Sequence, residues 1–244
     1  MTLWNGIKLP ESYFHDENVY IINGDCREVL PDFPEKCIDL GITSPPFNLG
    51  NTHHTGNYRH QAYSDNLPEA DYQASQIATL NELHRIIKDN GSFWYQHKNR
   101  IKNGVSTTPY QWLLQTEWLI KQEIVWRNRS QNFDKIRFYP MTERMYWLTK
   151  SAKTKLNNVV NLHDDWHIEP VGSKGNHTRA FPESIVDNII PCFPEAIIVI
   201  DPYLGSGTTA FCARKENRKC IGIEVSEEYC ELSAIRYLRS INDH

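Results

Sequence analysis

The sequence predicts an α/β fold in which a mostly parallel, doubly wound sheet is covered by helices. Two observations support this prediction. Short apolar, β-branched runs alternate along the 244-residue chain with segments of helical periodicity, which is the pattern of strand–helix–strand units. The run at 196–200 (AIIVI) is apolar throughout, as expected of a central strand with both faces covered. The length suits one domain with a modest insertion.

The predicted elements follow one another at short intervals. Apolar or β-branched runs predict strands at 19–22, 37–43, 92–95, 122–126, 145–148, 196–200 and 220–224. Helical spacing of apolar residues predicts helices at 69–88, 109–119, 183–190, from about 208 onward, and at 226–238. The segment 48–66 is polar and rich in turn-forming residues, which predicts a long loop of the kind that is usually functional or disordered.

Charge and cysteine content restrict the class of protein. The formal net charge is −4, so contact with nucleic-acid phosphates would need a local cluster of Lys and Arg. The six cysteines form no CxxC pair and no zinc-like cluster, which predicts reduced core residues in a cytoplasmic protein. The first residues have no signal-peptide pattern, and no run approaches the ~20 apolar residues of a membrane helix.

A glycine-rich turn, residues 201–210 (DPYLGSGTTA), follows the strongest predicted strand. Gly205 and Gly207 allow the backbone to turn tightly and to approach a ligand. No Gly-Lys-Ser/Thr follows, which excludes a P-loop, although the pattern alone also fits a nicotinamide dinucleotide site. Asp201 stands at the mouth of the turn, where a pyrophosphate would need positive charge. This suits a ligand with ammonium and sulfonium groups, such as S-adenosylmethionine.

An acidic residue, Glu224, ends the next predicted strand. A carboxylate at this position can accept hydrogen bonds from both hydroxyls of a ribose. Ligands of doubly wound sheets lie beyond the carboxyl ends of the strands, and the turn at 201–210 and the corner at 43–47 both follow such ends. The sequence therefore predicts one site between these two segments.

The corner at 43–47 (TSPPF) is the more specific motif. Two consecutive prolines end the strand and fix the direction of the Pro45 carbonyl. A base amino group has two N–H donors, and the Ser44 hydroxyl and the Pro45 carbonyl can accept both. Phe47 can stack on a base rotated out of a duplex. The simpler interpretation is a rigid Pro-Pro loop with a core aromatic residue.

In this order, the two motifs resemble those of the amino-methylating DNA methyltransferases of the beta arrangement. Members carry a Ser/Asp/Asn-Pro-Pro-Tyr/Phe catalytic motif near the N-terminus and an Asp-Pro-Phe/Tyr-x-Gly-Ser-Gly-Thr-Thr cofactor motif near the C-terminus. Further segments also resemble the family, at 24–26, 80–95, 126–128, 142–145, 177–182 and 221–224. The resemblance covers nearly the whole chain. It implies a circularly permuted, Rossmann-like S-adenosylmethionine-dependent methyltransferase fold with a seven-stranded sheet and one antiparallel strand.

The resemblance also assigns roles to residues. It implies a catalytic group of Ser44, Pro45, Pro46 and Phe47. It implies the cofactor-binding residues Asp25, Cys26, His177, Phe181, Pro182, Asp201, Pro202, Gly205, Ser206, Gly207, Thr208, Thr209 and Glu224. In the family, the segment at 25–26 contacts the adenine of the cofactor, the acid at 224 binds the ribose, and the stretch at 177–182 packs over the methionine end.

The expected reaction is methyl transfer to the exocyclic amine of a base in double-stranded DNA. Holding the amino hydrogens at Ser44 and Pro45 would help to localise a lone pair that is otherwise delocalised into the ring. A first-position Ser and a last-position Phe resemble the cytosine-N(4) members, which predicts cytosine, with adenine-N(6) as the alternative. Pro191-Cys192 resembles the nucleophile motif of carbon-5 methyltransferases, but no second signature accompanies it. Cys192 is therefore predicted to be structural.

Contacts with DNA are predicted in two recognition loops, 48–66 and 127–175, of a single domain spanning 1–244. The candidate residues are Arg59, Arg127, Arg129, Lys135 and Arg137. A solvated surface loop is the competing interpretation. No metal site is expected, because the loop histidines lack partners with ligand spacing. The resemblance allows a homodimer and a cognate restriction endonuclease, neither of which the sequence itself identifies.

Three other functions compete with this prediction. A nicotinamide-dependent oxidoreductase would use Gly205, Gly207 and Ala210, but it leaves the corner at 43–47 unexplained. A catalytically silent DNA-binding module is disfavoured by the intact motif residues. A methyltransferase that acts on RNA or on a protein amide would also fit a Pro-Pro corner, because amides are planar, but the order of the two motifs favours DNA.

Overall fold

The computed structural model describes residues 1–50, 65–102, 104–128, 135–169 and 182–242. The strands are β1 (Thr2–Trp4), β2 (Ile7–Leu9), β3 (Phe14–His15), β4 (Val19–Asn23), β5 (Ile38–Thr43), β6 (Ile87–His97), β7 (Arg100–Lys102), β8 (Val105–Thr107), β9 (Leu119–Arg127), β10 (Thr142–Thr149), β11 (Asp165–His167), β12 (Ile198–Asp201) and β13 (Lys219–Glu224). The helices are α1 (Cys26–Val29), α2 (Glu69–Ile86), α3 (Tyr110–Leu113), α4 (Glu183–Ile189), α5 (Thr208–Lys215) and α6 (Glu227–Asn242). Within these ranges, no helix is both long and apolar enough to cross a membrane.

Nine of these strands form one sheet, in the order β11-β9-β10-β6-β5-β12-β13-β4-β3. The strands from β6 to β4 in this order are parallel to one another. β10 lies antiparallel between β6 and β9. The stretch from β9 to β4 therefore has the predicted seven strands with one antiparallel strand, and the short edge strands β11 and β3 widen it. The predicted α/β class with a mostly parallel sheet is confirmed.

Helices pack on both faces of the sheet, which makes the fold doubly wound. Alternate side chains of β4 point to opposite faces, as strand geometry requires. Tyr20 and Ile22 belong to the core cluster that includes residues of α2. Val19 and Ile21 belong to the cluster on the other face, with residues of α4, α5 and α6. A strand covered on both faces needs apolar residues throughout, which is why the sequence predicts it so clearly.

The chain passes through the sheet in a permuted order. It forms β4, β5 and β6 first, and only near its end forms β12, which inserts between β5 and β13. Ile200 of β12 pairs with Gly41 of β5 in a parallel arrangement. Because parallel neighbours have their carboxyl ends at the same edge, the corner after β5 and the turn after β12 leave the sheet side by side. This is the topology that the predicted site requires.

The helix predicted at 109–119 is wrong in extent, because α3 spans only Tyr110–Leu113 and β9 begins at Leu119. The reason lies in Trp118, which is buried. Its indole N–H donates a hydrogen bond of 2.8 Å to the carbonyl of Leu80 in α2. Packing of this side chain against α2 outweighs the local helical preference and directs the chain into β9.

β6 is longer than the strand predicted at 92–95. Residues 89–91, which separate the predicted helix at 69–88 from the predicted strand, lie inside β6, since β6 begins directly after α2. The glycine at 91 is required there, because an added Cβ would lie 2.7 Å from the Asp39 carbonyl oxygen. The strand continues to His97 and so brings Gln96 and His97 to the edge of the sheet that carries the corner after β5.

Candidate active site

The Ser-Pro-Pro-Phe corner begins where β5 ends. Pro45 is buried, whereas Ser44, Pro46 and Phe47 are partly exposed. The Tyr72 hydroxyl of α2 donates a hydrogen bond of 2.7 Å to the Pro46 carbonyl. The corner is therefore held by a buried side chain of α2, while three of its residues remain partly exposed.

A buried histidine supports Tyr72. The Tyr72 hydroxyl, which donates to Pro46, also lies 2.8 Å from His97 Nε2. The other ring nitrogen, His97 Nδ1, lies 2.8 Å from the Lys98 carbonyl oxygen and 2.9 Å from the Lys98 backbone nitrogen. Burial lowers the pKa of His97 to about 3, so the ring is neutral. The Phe47 ring lies against this imidazole, with 4.7 Å between ring centroids.

The Ser44 hydroxyl points into a polar network that the sequence analysis missed. It donates to the side-chain oxygen of Gln96, whose amide nitrogen donates to Glu143 of β10. Asn128 donates to the other oxygen of Glu143 at 2.9 Å. Gln96 and Asn128 are buried. The sequence did contain a signal for this network: Gln96, Asn128 and Glu143 stand close to the ends of predicted strands.

Asp201 connects the two motifs directly. This residue ends β12 and is 4% exposed. Its carboxylate accepts from the Thr43 hydroxyl at 2.6 Å and from the Thr209 hydroxyl at 2.6 Å. The backbone N–H of Tyr203 donates to it at 3.1 Å. Asp201 thus stands directly before the turn, as the sequence predicts, but its carboxylate faces inward to the buried hydroxyls, and the neighbouring Pro202 is also buried.

The titration of Asp201 gives a stability prediction. Burial raises its pKa from 3.8 to about 6, so the folded protein binds this proton more tightly than the unfolded chain does. The contribution of Asp201 to the free energy of unfolding is therefore greatest below pH ~4 and is lost as the pH rises to ~6. The total loss is at most ~3 kcal/mol. We expect Asp201→Asn to remove this slope. Urea unfolding of both proteins at several pH values between these limits measures it, and equal slopes would contradict the expectation.

Both glycines of the turn have positive φ, and their surroundings differ. An added Cβ at Gly205 would meet only the Tyr203 carbonyl oxygen, at 3.9 Å, so this side of the turn is open. At Gly207, an added Cβ would lie 2.3 Å from Ser233 Oγ and 3.0 Å from Ser233 Cα. Gly207 therefore allows the turn to pack against α6. Ser206 is partly exposed between the glycines, and the buried pair Thr208 and Thr209 begins α5.

Glu224 lies beside this turn. It is 8% exposed, and burial raises its pKa. One oxygen accepts from the Gly205 backbone N–H at 2.8 Å and the other from the Ser226 N–H at 2.9 Å. Since Glu224 pairs with Asn23 in the neighbouring strand, the end of β13 lies next to the turn that leads into α1. Glu224 and the start of α1 therefore lie at the same edge of the sheet.

The start of α1 contains the two residues that resemble the family's adenine segment. Asp25 caps the helix by accepting from the Arg27 backbone N–H at 2.9 Å. It also forms an ion pair with the Arg27 guanidinium. The Cys26 side chain is buried, and burial raises the pKa of its thiol to about 11. Cys26 is therefore suited to packing rather than to acting as a nucleophile.

The remaining predicted residues are only partly within the described ranges. Pro182 is buried directly before α4. Lys135 and Arg137 are exposed, and Arg127 pairs with Asp165 of β11 at 2.7 Å. His177, Phe181, Arg59 and Arg129 lie outside the described residues. The interval 127–175 is not one loop, because it contains β10 and β11; β10 is held in the sheet by pairing with both β6 and β9.

Taken together, a parallel sheet with a Ser-Pro-Pro-Phe corner and a glycine turn on one edge defines an amino-methylating methyltransferase. Residues 38–235 match the N6_N4_Mtase family model of DNA methylases, and the chain belongs to this family.

Individual relatives agree with this assignment. The chain is 26% identical over 265 residues to the type II methyltransferase M.ScaI of Streptomyces caespitosus, covering 93% of this chain and 84% of the relative. Its fold resembles PvuII DNA methyltransferase (cytosine-N4-specific), with a TM-score of 0.75, 23% identity, and coverage of 93% and 94%. It also resembles M1.HpyAVI in complex with SAM, with a TM-score of 0.63, 20% identity, and coverage of 89% and 98%. The protein is thus an S-adenosylmethionine-dependent DNA methyltransferase.

Proposed function

We propose that this enzyme transfers a methyl group from S-adenosylmethionine to N4 of a cytosine rotated out of duplex DNA. The observation that carries the proposal is the contact between the two motifs. Thr43 is the first residue of the corner, Asp201 is the first residue of the glycine-rich turn, and the two side chains are joined by a hydrogen bond of 2.6 Å. A base held at the corner would therefore lie next to a ligand held at the turn.

The corner would act on the amino group of the base. Ser44 Oγ and the Pro45 carbonyl accept its two hydrogens, which helps to localise the nitrogen lone pair. Phe47 stacks on the base. The bound cofactor supplies an electrophilic methyl group on a positively charged sulfur. Fixed positioning of the amine against that methyl then provides much of the acceleration, without a covalent enzyme intermediate.

The residues around the turn suit the cofactor. Glu224 is an acceptor-only group when ionised and would bind the ribose hydroxyls, next to the open side of Gly205. Asp25 and Cys26 border the same edge and would contact the adenine. Pro182, with His177 and Phe181, would cover the methionine end. Asp201 is 4% exposed and accepts from the Thr43 and Thr209 hydroxyls, so it would support cofactor binding by holding the turn in place.

Two arguments favour cytosine over adenine. The corner starts with Ser44, as in the cytosine-N(4) members that it resembles. The fold also resembles that of the cytosine-N4-specific PvuII enzyme. The test is incubation with duplex DNA and cofactor labelled in the methyl group, followed by digestion to nucleosides. We expect the label in N(4)-methyldeoxycytidine, and label in N(6)-methyldeoxyadenosine would overturn the choice of base.

DNA binding is proposed for one face of a single domain that spans 1–244. The segment 48–66 and the parts of 127–175 outside β10 and β11 would provide the contacts, through Arg59, Arg127, Arg129, Lys135 and Arg137. Residues 135–140 are exposed, as phosphate-binding residues must be. With so little recognition surface, a homodimer is the proposed assembly, and sedimentation with and without DNA tests it. A cognate restriction endonuclease is proposed as partner because the chain resembles a type II methyltransferase.

Reversal of charge at Arg127 and Arg129 is expected to weaken DNA binding. Each lost phosphate contact should also reduce the slope of log K against log salt by ~0.9. Titration of labelled duplex at several salt concentrations measures both quantities. Asp165→Asn is the matched control: it removes the carboxylate that pairs with Arg127 at 2.7 Å, so affinity should be kept or increased. Unchanged affinity and slope in the Arg127→Glu/Arg129→Glu protein would exclude this surface.

A further inference from the structure

A chain of hydrogen-bonded polar side chains crosses four adjacent strands at the edge of the sheet that carries the corner. It connects Ser44 after β5, Gln96 in β6, Glu143 in β10 and Asn128 after β9. These strands are neighbours in the sheet in the same order. Gln96 is 1% exposed and Asn128 is 5% exposed, whereas Ser44 and Glu143 are partly exposed, so the two amide side chains are the members shielded from water.

The donor and acceptor roles along this chain follow from chemistry. An ionised carboxylate can only accept hydrogen bonds. Both oxygens of Glu143 accept from side-chain amides, one from Gln96 and the other from Asn128 at 2.9 Å. The amide nitrogen of Gln96 must therefore face Glu143, which leaves its oxygen facing Ser44. The Ser44 hydroxyl has one proton, and it must donate that proton to Gln96.

We infer that Glu143 and Gln96 are positioning residues that make Ser44 a permanent acceptor toward the target base. With its proton committed to Gln96, the partly exposed Ser44 offers only lone pairs to a substrate. These match the N–H groups of an exocyclic amine and repel the O4 carbonyl of a uracil or thymine. This inference rests on the proposed function, and it adds the residues that set both the rate and the choice of an amino-bearing base.

A variant pair separates this role from a structural one. In Glu143→Gln, the new amide can both donate and accept, so Gln96 is free to turn and Ser44 is no longer forced to donate to it. In the double variant Gln96→Glu/Glu143→Gln, the introduced carboxylate stands next to Ser44 and again accepts its proton. The introduced amide at position 143 donates to that carboxylate and accepts from Asn128. The Ser44 hydroxyl therefore again donates its proton to the side chain at position 96, although the side chains at 96 and 143 both differ from the wild type.

The experiment measures single-turnover methyl transfer and the affinity for duplexes with cytosine or uracil at the target position. We expect Glu143→Gln to lower the rate by at least ~10-fold and to reduce the preference for cytosine, with unchanged affinity for S-adenosylmethionine. The double variant should regain most of the rate and the preference. Glu123→Gln is the control, because Glu123 pairs with Arg144 at 2.7 Å and accepts from Tyr110 at 2.6 Å. Neither contact belongs to the chain of hydrogen bonds that leads to Ser44.

The outcomes distinguish the inference from the proposed function. If wild-type protein does not methylate cytosine-N(4), the proposed function fails before any variant is compared. If wild-type protein methylates cytosine and Glu143→Gln keeps its rate and preference, the inference alone is overturned. The inference is also overturned if the double variant is no faster and no more selective for cytosine than Glu143→Gln. Restoring the direction of the Ser44 hydrogen bond would then have no effect.

Discussion

Replacement of Ser44 by alanine is expected to lower kcat for methyl transfer by ~10²–10³. The alanine removes one of the two acceptors for the amino hydrogens and leaves the Pro45 carbonyl as the other. It also leaves the cofactor turn intact, because that turn is held by Asp201 and Glu224. Single-turnover rates at saturating DNA and cofactor measure the effect. Calorimetry should give an unchanged Kd for S-adenosylmethionine.

Ser12→Ala provides the control for this result. The Ser12 hydroxyl bonds to His15 Nδ1 at 2.7 Å, outside both motifs, so its loss should leave kcat unchanged. A Ser44→Ala protein that retained wild-type kcat would contradict an acceptor role for Ser44. A protein that lost cofactor binding as well would show that Ser44 supports the fold of the site rather than the amine.

Replacement of Gly207 by alanine is expected to have the largest effect on the cofactor side of the site. The residue has a φ of 82°, which costs an L-residue ~1–2 kcal/mol. An added Cβ would also lie 3.0 Å from the Cα of Ser233, a backbone atom that no rotamer change can move. Relief requires a shift of the turn against α6, and misplacement by ~1 Å is expected to weaken function by ~10²-fold.

Gly6→Ala isolates the steric part of this effect. Gly6 has the same φ of 82°, but an added Cβ there would meet nothing within 4 Å. Both variants therefore bear the same conformational cost, and only Gly207→Ala is overpacked, which adds ~1–3 kcal/mol. Urea unfolding and cofactor titration of the two proteins provide the comparison. Equal losses of stability with intact cofactor binding in both would exclude close packing of the turn.

The central strands β4 and β12 could be predicted because nearly all of their residues are apolar and buried. The runs at 19–22 and 196–200 need no knowledge of their neighbours, since burial on two sides leaves only apolar residues. The segment 109–119 shows the opposite case. Its spacing favours a helix, but the indole of Trp118 bonds to Leu80 of α2, a partner that is distant in sequence.

The site shows the same division between local and tertiary information. Backbone-determined features, such as Pro45 and the glycines of the turn, are visible in the sequence because few other residues can replace them. The direction of a side chain is not local. Asp201 turns inward because Thr43 and Thr209 need an acceptor, and Gln96 acquires its role only when β6 pairs with β10.

The most direct test of the account is a structure of the enzyme with duplex DNA and a non-reactive analogue of S-adenosylmethionine. The account predicts a base rotated out of the duplex whose amino nitrogen lies ~3 Å from both Ser44 Oγ and the Pro45 carbonyl oxygen. The analogue should lie against Gly205 and Glu224. A base bound away from the corner, or an analogue bound at another edge of the sheet, would contradict it.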